Sequence, residues 1–226
     1  MFDFRFYEIW REPEYIDRLL DGALLSVYLT SAAAVFGFAF GVCLAIARRS
    51  GRKSLCVASG AYIELIRNTP LIVQLFFVVF GLPLLLGYRW PFPASALLAL
   101  TLNFSAYYAE IIRAGLDNLD IGQVEAGKSL TLSRFQSLRF IVLPQALASV
   151  YPSLVSQFVF LFLTTGIISE VGIEELTWSG RFIADRTFRD FEVYLILTVI
   201  YVLLAFGFRA LFYMLGRYLF PWQSVR

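Results

Sequence analysis

The sequence predicts an all-α integral membrane protein of about five transmembrane helices, its N-terminus outside and a long cytoplasmic loop between spans 3 and 4. Three observations lead there. The 226 residues are 59% hydrophobic and 16% charged, against about 45–50% and about 25% in a soluble domain. The apolar residues are gathered in runs: Gly22 to Ala47, Pro70 to Tyr88, Trp90 to Ala109 and Phe140 to Ser169 contain no Asp, Glu, Lys or Arg. A fifth run, Val193 to Phe208, continues past Arg209 to Gly216. About 20 apolar residues cross a hydrocarbon core, and a soluble core of this size cannot hold five such segments. The third observation is the siding of positive charge between the runs.

Residues 1–21 form the first element. Phe6, Ile9, Trp10, Tyr15, Ile16, Leu19 and Leu20 follow an amphipathic helical pattern with interfacial aromatics, which predicts a segment lying on the outer membrane surface. The segment lacks the basic start and short apolar stretch of a cleaved signal peptide. Residues 22–226 are then the transmembrane domain. In its first span Gly37 and Gly41 stand four apart, with Ala33 one turn earlier, the pattern that lets helices approach closely.

The first turn between spans holds Arg48, Arg49, Arg52 and Lys53 and no acid. Adding Arg113, Lys128, Arg134, Arg139, Arg209, Arg217 and Arg226 puts eleven basic residues on that side, against seven opposite. The short basic turn is therefore cytoplasmic. Six acids precede the first span and six more lie from Glu170 to Glu192. Cys43 and Cys56 flank the turn at a spacing of no metal or redox motif, and the chain has no histidine for imidazole chemistry. No basic stripe marks a nucleic-acid surface.

The loop at about 115–145 carries the chemistry. Gly122-Gln-Val-Glu-Ala-Gly-Lys-Ser129 fits the phosphate-binding pattern G-x-x-x-x-G-K-[ST] in letters. That loop must follow a strand and open a helix so that its amides face phosphate. Here Asp120 with Gln123 reads instead as a capping box, which places Gln123 to Leu130 within a helix. A membrane-bound nucleotide hydrolase using Gly122 to Ser129 is the alternative reading, and a channel or scaffold without an ATPase is another. After Leu130 the helix breaks. Ser133 with Gln136 starts a second short helix, bearing Phe135, Leu138, Ile141 and Val142 on one face and expected to end near Pro144.

Glu125-Ala-Gly-Lys-Ser-Leu-Thr-Leu-Ser-Arg-Phe-Gln136, followed by Ile141-Val-Leu-Pro144, resembles the EAA motif loop of ABC transporter permeases of the polar amino acid uptake (histidine/glutamine/arginine-type) family. Glu64-Leu-Ile-Arg-Asn-Thr-Pro-Leu-Ile-Val-Gln74-Leu-Phe-Phe, Ala99 to Asn103, Ala106 to Arg113 and Phe191 to Tyr194 resemble further blocks of the same family in the same order. The resemblance implies a non-enzymatic inner-membrane subunit for amino acid transport. Its loop would be a coupling helix, through Glu125, Ala126, Gly127, Thr131, Ser133, Arg134 and Pro144, docked on a separate ABC ATPase subunit dimer. It implies no cofactor on this chain, with ATP and Mg held by that ATPase. It also implies a second homologous permease, a periplasmic or extracellular solute-binding protein, and membrane lipid around the spans. Two positions depart from the pattern. Gly127 replaces an alanine, and Thr131 replaces a turn glycine, so that a β-branched residue at positive φ predicts an altered turn.

Polar groups inside spans are expensive and mark pathways. The candidates are Glu64, Thr69, Gln74, Asn103, Tyr107, Gln157, Thr164 and Thr165. In amino-acid members the residues matching Glu64 and Asn103 help line a mid-membrane cavity, and both also fit a helix-packing role. Glu64 with Arg67 stands at pairing distance along a helix, and Arg67 and Glu110 read as locally paired residues near the cytoplasmic ends. The family's Lys-Asp-Thr stretch reads Leu163-Thr164-Thr165 here. Its charges are gone, which predicts a heterodimer whose other permease differs at this stretch.

Overall fold

The computed structural model describes residues 4–119, 122–123, 125 and 129–223, and every regular element among them is helical. A short helix α1 (Tyr7–Arg11) leads into α2 (Pro13–Arg48), which starts on a proline at its first turn and stops in the basic turn. Its 36 residues measure about 54 Å at 1.5 Å each, well beyond a hydrocarbon core of about 30 Å. The expected surface segment is thus continuous with span 1 from Pro13 onward. Part of its apolar face is covered by protein, while Trp10 and Leu20 stay exposed. Ile9 and Leu19 are buried with Leu176, Ile183 and Val193, because the outer third of α2 packs on a later helix.

The second span is broken. Helix α3 (Lys53–Arg67) ends before Pro70, and the chain resumes as α4 (Leu71–Phe76), a π turn (Phe77–Gly81) and α5 (Leu82–Leu86), bent from α3 by 109°. Proline has no N–H, and the residue before it avoids the α region. Asn68-Thr69-Pro70 therefore ends one helix and begins another. Gly87, at φ +71°, closes α5 in the left-handed conformation that glycine adopts freely.

Helix α6 (Phe92–Asp117) is the central span. Phe104, Leu100 and Ile112 are fully buried, and α2 lies against it through the two spaced glycines. A Cβ on Gly37 would stand 2.5 Å from Phe104 Cβ, and one on Gly41 3.0 Å from Ser105 O. Span 4 runs from α7 (Arg134–Ser137) through a π turn (Leu138–Val142) into α8 (Leu143–Thr164) and a 3₁₀ segment (Thr165–Val171). Contrary to expectation, the helix does not end near Pro144. The Leu143 N–H bonds back to Leu138 O, five residues away, and the widened turn clears the proline ring from the preceding carbonyls. The same device precedes Pro83, where Leu82 N–H bonds to Phe77 O.

Helix α9 (Leu176–Thr187) is too short to span and packs on α2 and on α10 (Asp190–Leu219), the fifth span. Glu175 caps α9. Its buried carboxylate accepts from Trp178 N–H at 3.0 Å, Ser26 Oγ at 3.1 Å and Tyr201 Oη at 3.2 Å, joining α9 to spans 1 and 5. Burial pushes its pKa up, against the lowering effect of those donors.

Candidate functional site

The break in span 2 leaves carbonyls without helical partners, and Gln74 answers them. Its Nε2 donates to Ile66 O at 2.7 Å and to Thr69 O at 2.9 Å, tying α4 back onto the end of α3. Asn103 on α6 donates from Nδ2 to Gln74 Oε1 at 3.0 Å. Both amides are buried, and Asn103 Oδ1 has no hydrogen-bond partner among the described residues. Irregular backbone at membrane depth is tolerated where it lines a cavity.

A cavity of about 450 Å³ lies there. Arg67, Asn68 and Thr69 from the break, Asn103 and Tyr107 from α6 and Thr164 from α8 supply its polar lining, with Phe160, Leu161 and Ile167 completing the wall. Arg67 is the charged member of this lining. Its guanidinium carbon stands 5.7 Å from the Tyr107 ring centroid, a cation–π arrangement. The cavity therefore offers a cation, hydroxyls and the Asn103 amide within an apolar wall.

Of the expected pathway residues, Thr69, Asn103, Tyr107 and Thr164 come together here, with Gln74 one layer behind. Glu64, Gln157 and Thr165 stand outside this lining. Glu64 is exposed and accepts from Asn68 Nδ2 at 3.4 Å, so it does not form the expected ion pair with Arg67. Thr165 is buried and bonds back to Phe162 O at 2.6 Å, as a hydroxyl that completes its own helix. Gln157 keeps a buried Nε2 without a partner among the described residues. Arg67 also departs from expectation, standing at the break rather than near a cytoplasmic end, whereas Glu110 pairs locally with Arg113. Sequence reasoning passed over Asn68 and misassigned Arg67. The signal was the helix-breaking Asn-Thr-Pro immediately after Arg67.

On the cytoplasmic side the loop keeps its helical character where it is described. Gly122, Gln123, Glu125 and Ser129 are helical, and Ser129 Oγ donates to Glu125 O at 3.1 Å. The segment preceding this motif is helix α6, ending at Asp117, instead of the strand a phosphate-binding loop requires. Asp120, Ala126, Gly127 and Lys128 lie outside the described residues. Thr131 corrects another expectation. It occupies the left-handed region at φ +56°, the backbone conformation that a turn glycine adopts freely, despite the β-branched side chain. Ser133 and Gln136 then form a reciprocal capping box, Ser133 N–H to Gln136 Oε1 at 2.9 Å and Gln136 N–H to Ser133 Oγ at 3.2 Å. Arg134 opens α7, and Pro144 stands just inside α8.

Residues 24–220 match the family described as binding-protein-dependent transport system inner membrane component. The chain belongs to this family. Similar curated proteins include the probable glutamine ABC transporter permease of Bacillus subtilis (strain 168), 35% identical over 83% of this chain and 87% of that protein. The putative glutamine transport system permease of Rickettsia conorii is 32% identical over 82% and 85%. The crystal structure of an amino acid ABC transporter with histidines matches with TM-score 0.84 and 32% identity, covering 96% of this chain and 99% of that one. An inward-facing methionine ABC transporter matches at TM-score 0.78 and 19% identity, over 92% and 99%, and shares the fold. This member of the binding-protein-dependent inner membrane family is a multi-pass inner-membrane permease subunit of an ABC importer.

Proposed function

We propose that this permease carries a polar amino acid through the cavity at the break in span 2, with Arg67 holding the substrate carboxylate. The observation that carries this reading is that Arg67 and the Asn103 amide line one cavity with the hydroxyls of Thr69, Tyr107 and Thr164. A zwitterion needs a cation for its carboxylate and an acceptor for its ammonium. Arg67 offers the first and the hydroxyls of Thr69, Tyr107 and Thr164 beside the Asn103 amide the second, while the described lining carries no carboxylate to select a cationic side chain. The glutamine-permease relatives fit a neutral polar substrate.

The left-handed turn at Thr131 and the capped start of α7 form the elbow on which a separate ATPase dimer docks, with ATP and Mg bound there. Ala126 and Gly127 belong to the same docking segment by family pattern. A solute-binding protein delivers substrate from outside, and a second, homologous permease completes the pathway. Leu163-Thr164-Thr165 supports a heterodimer, since this chain brings no charge from that stretch.

The test is uptake by the importer reconstituted in proteoliposomes, with glutamine, glutamate and arginine as competing substrates. Arg67→Gln raises KM about tenfold or more, the worth of one charge-assisted hydrogen bond, and Arg67→Lys recovers part of the loss. Unchanged KM in Arg67→Gln, or preferred uptake of arginine, overturns the reading. An assembled complex holding two copies of this chain and no second permease refutes the heterodimer.

A further inference from the structure

On the far side of α8 from the substrate cavity lies a second concavity, about 670 Å³, between α2, α8 and α10. Leu154 and Phe158 line it, whereas Phe160 and Thr164 of the same helix line the cavity. Residues two apart on a helix point about 200° away from each other, so the groove faces away from the pathway. Its wall is apolar, and among the described residues its one charged lining member is Arg139.

The upper end of the groove lies near mid-membrane, where the Phe158 ring stands 6.4 Å from that of Phe104, midway along α6. Its lining runs along α10 from Phe208 to Leu219, about 16 Å at 1.5 Å per residue, and along the π turn and α8 from Arg139 to Phe158, about 28 Å. Its lower end is marked by Arg139, just after the cytoplasmic loop, and by Trp222, just after the last span. Tryptophan favours the membrane–water interface. Among the described residues no carboxylate lies within 4 Å of Arg139, whose guanidinium carbon stands 5.6 Å from the Phe140 ring.

We propose that this groove binds an anionic phospholipid of the cytoplasmic leaflet, with an acyl chain between α2, α8 and α10 and the headgroup phosphate on Arg139. A transmembrane helix of another protein would cross both leaflets, whereas the groove closes at mid-membrane. An acyl chain fits that half-depth, and its phosphate reaches the interface where the free guanidinium stands. Arg139 belongs to the π turn that connects the coupling elbow to α8, so the lipid sits at the foot of the element expected to move with the ATPase.

The assembled importer is exchanged into nanodiscs of equal phosphatidylglycerol and phosphatidylcholine, then extracted in mild detergent, and retained lipid is quantified by mass spectrometry. Wild type retains phosphatidylglycerol in preference. Arg139→Gln lowers the ratio of retained phosphatidylglycerol to phosphatidylcholine about fivefold, and Arg139→Lys keeps it. Ala34→Phe, which fills the upper groove, reduces retention of both lipids, and Ala34→Leu replaces it should the larger variant fail to assemble. An unchanged ratio in Arg139→Gln overturns the proposal, as does unchanged retention in the groove-filling variant. Cross-linking of Leu211→Cys to another protein chain overturns it too.

Discussion

Asn103 donates its amide hydrogen to Gln74 at 3.0 Å while its carbonyl oxygen stays buried without a partner among the described residues. One side chain thus holds the broken span in place with one atom and keeps the other enclosed. Gln74 fixes the amide orientation, since both of its own donors are spent on the backbone of the break.

Removing Gln74 should open the break. Gln74→Leu takes the side-chain donor from Thr69 O and the acceptor from Asn103 Nδ2, at about 1–3 kcal/mol for each buried group that water cannot reach, while Ile66 O keeps its backbone bond from Thr69 N–H. A loss of at least about 2 kcal/mol is expected, read as a lower thermal midpoint of the detergent-solubilised importer. Asn103→Leu in the Gln74→Leu background should cost less than in the parent, because the orphaned donor leaves with it. Strict additivity of the two would sink the shared network.

Thr131 holds a conformation that costs a residue with a Cβ roughly 1–2 kcal/mol. Thr131→Asn should raise stability by about 1 kcal/mol, because Asn tolerates the left-handed region, while Thr131→Val should give no gain. A neighbouring change, Ser133→Ala, removes the capping box and should cost about 1 kcal/mol. Thermal unfolding of the complex distinguishes these directions, and a destabilised Thr131→Asn would show that the threonine is held by contacts rather than strained.

Close packing of α2 on α6 can be tested at Gly37. A side chain there meets Phe104 Cβ at 2.5 Å from its own Cβ, so Phe104 and the helix carrying it must move. Gly37→Leu should cost about 1–3 kcal/mol as overpacking and reduce the yield of assembled complex. Normal yield and midpoint would mean that α2 shifts freely.

Glu175 gives the fold a pH dependence. Its pKa in the folded chain is raised, chiefly by burial, above an unfolded value near about 4.3. Between those two values the folded state binds more protons than the unfolded one, so stability falls as pH rises through that window. Above the raised value the cost is complete and constant. Glu175→Gln should remove this segment of the pH profile and leave the profile flat there. Midpoints recorded for parent and variant from pH 4.5 to 8 check it, and parallel curves would contradict it.

The spans were legible because lipid enforces a local rule, a charge-free run per crossing. The close approach at Gly37 and Gly41 and the capping box at Ser133 and Gln136 were legible for the same reason, since each is written within a few residues. The cavity was only half legible. Arg67 looked paired with Glu64 because three residues separate them on a helix, but the break at Asn68-Thr69-Pro70 redirects the chain and turns Arg67 toward Tyr107. Asn103 and Gln74 are 29 residues apart, and no short-range pattern encodes their bond. Pro144 read as a stop because proline normally ends a helix from within, and only a widened backbone turn, invisible in the letters, lets the helix pass.

That widened turn changes how this chain can be compared with its relatives. A π turn amounts to one extra residue in an α-helical ladder, worth about 100° of rotation. Leu138–Val142 and Phe77–Gly81 therefore reset the phase of everything that follows them. A homologue with plain α-helix at either point aligns with this sequence only across a one-residue gap. Substitutions carried over by uninterrupted numbering would land on the wrong side of α5 or α8, exchanging a lipid-facing position for a pathway-facing one.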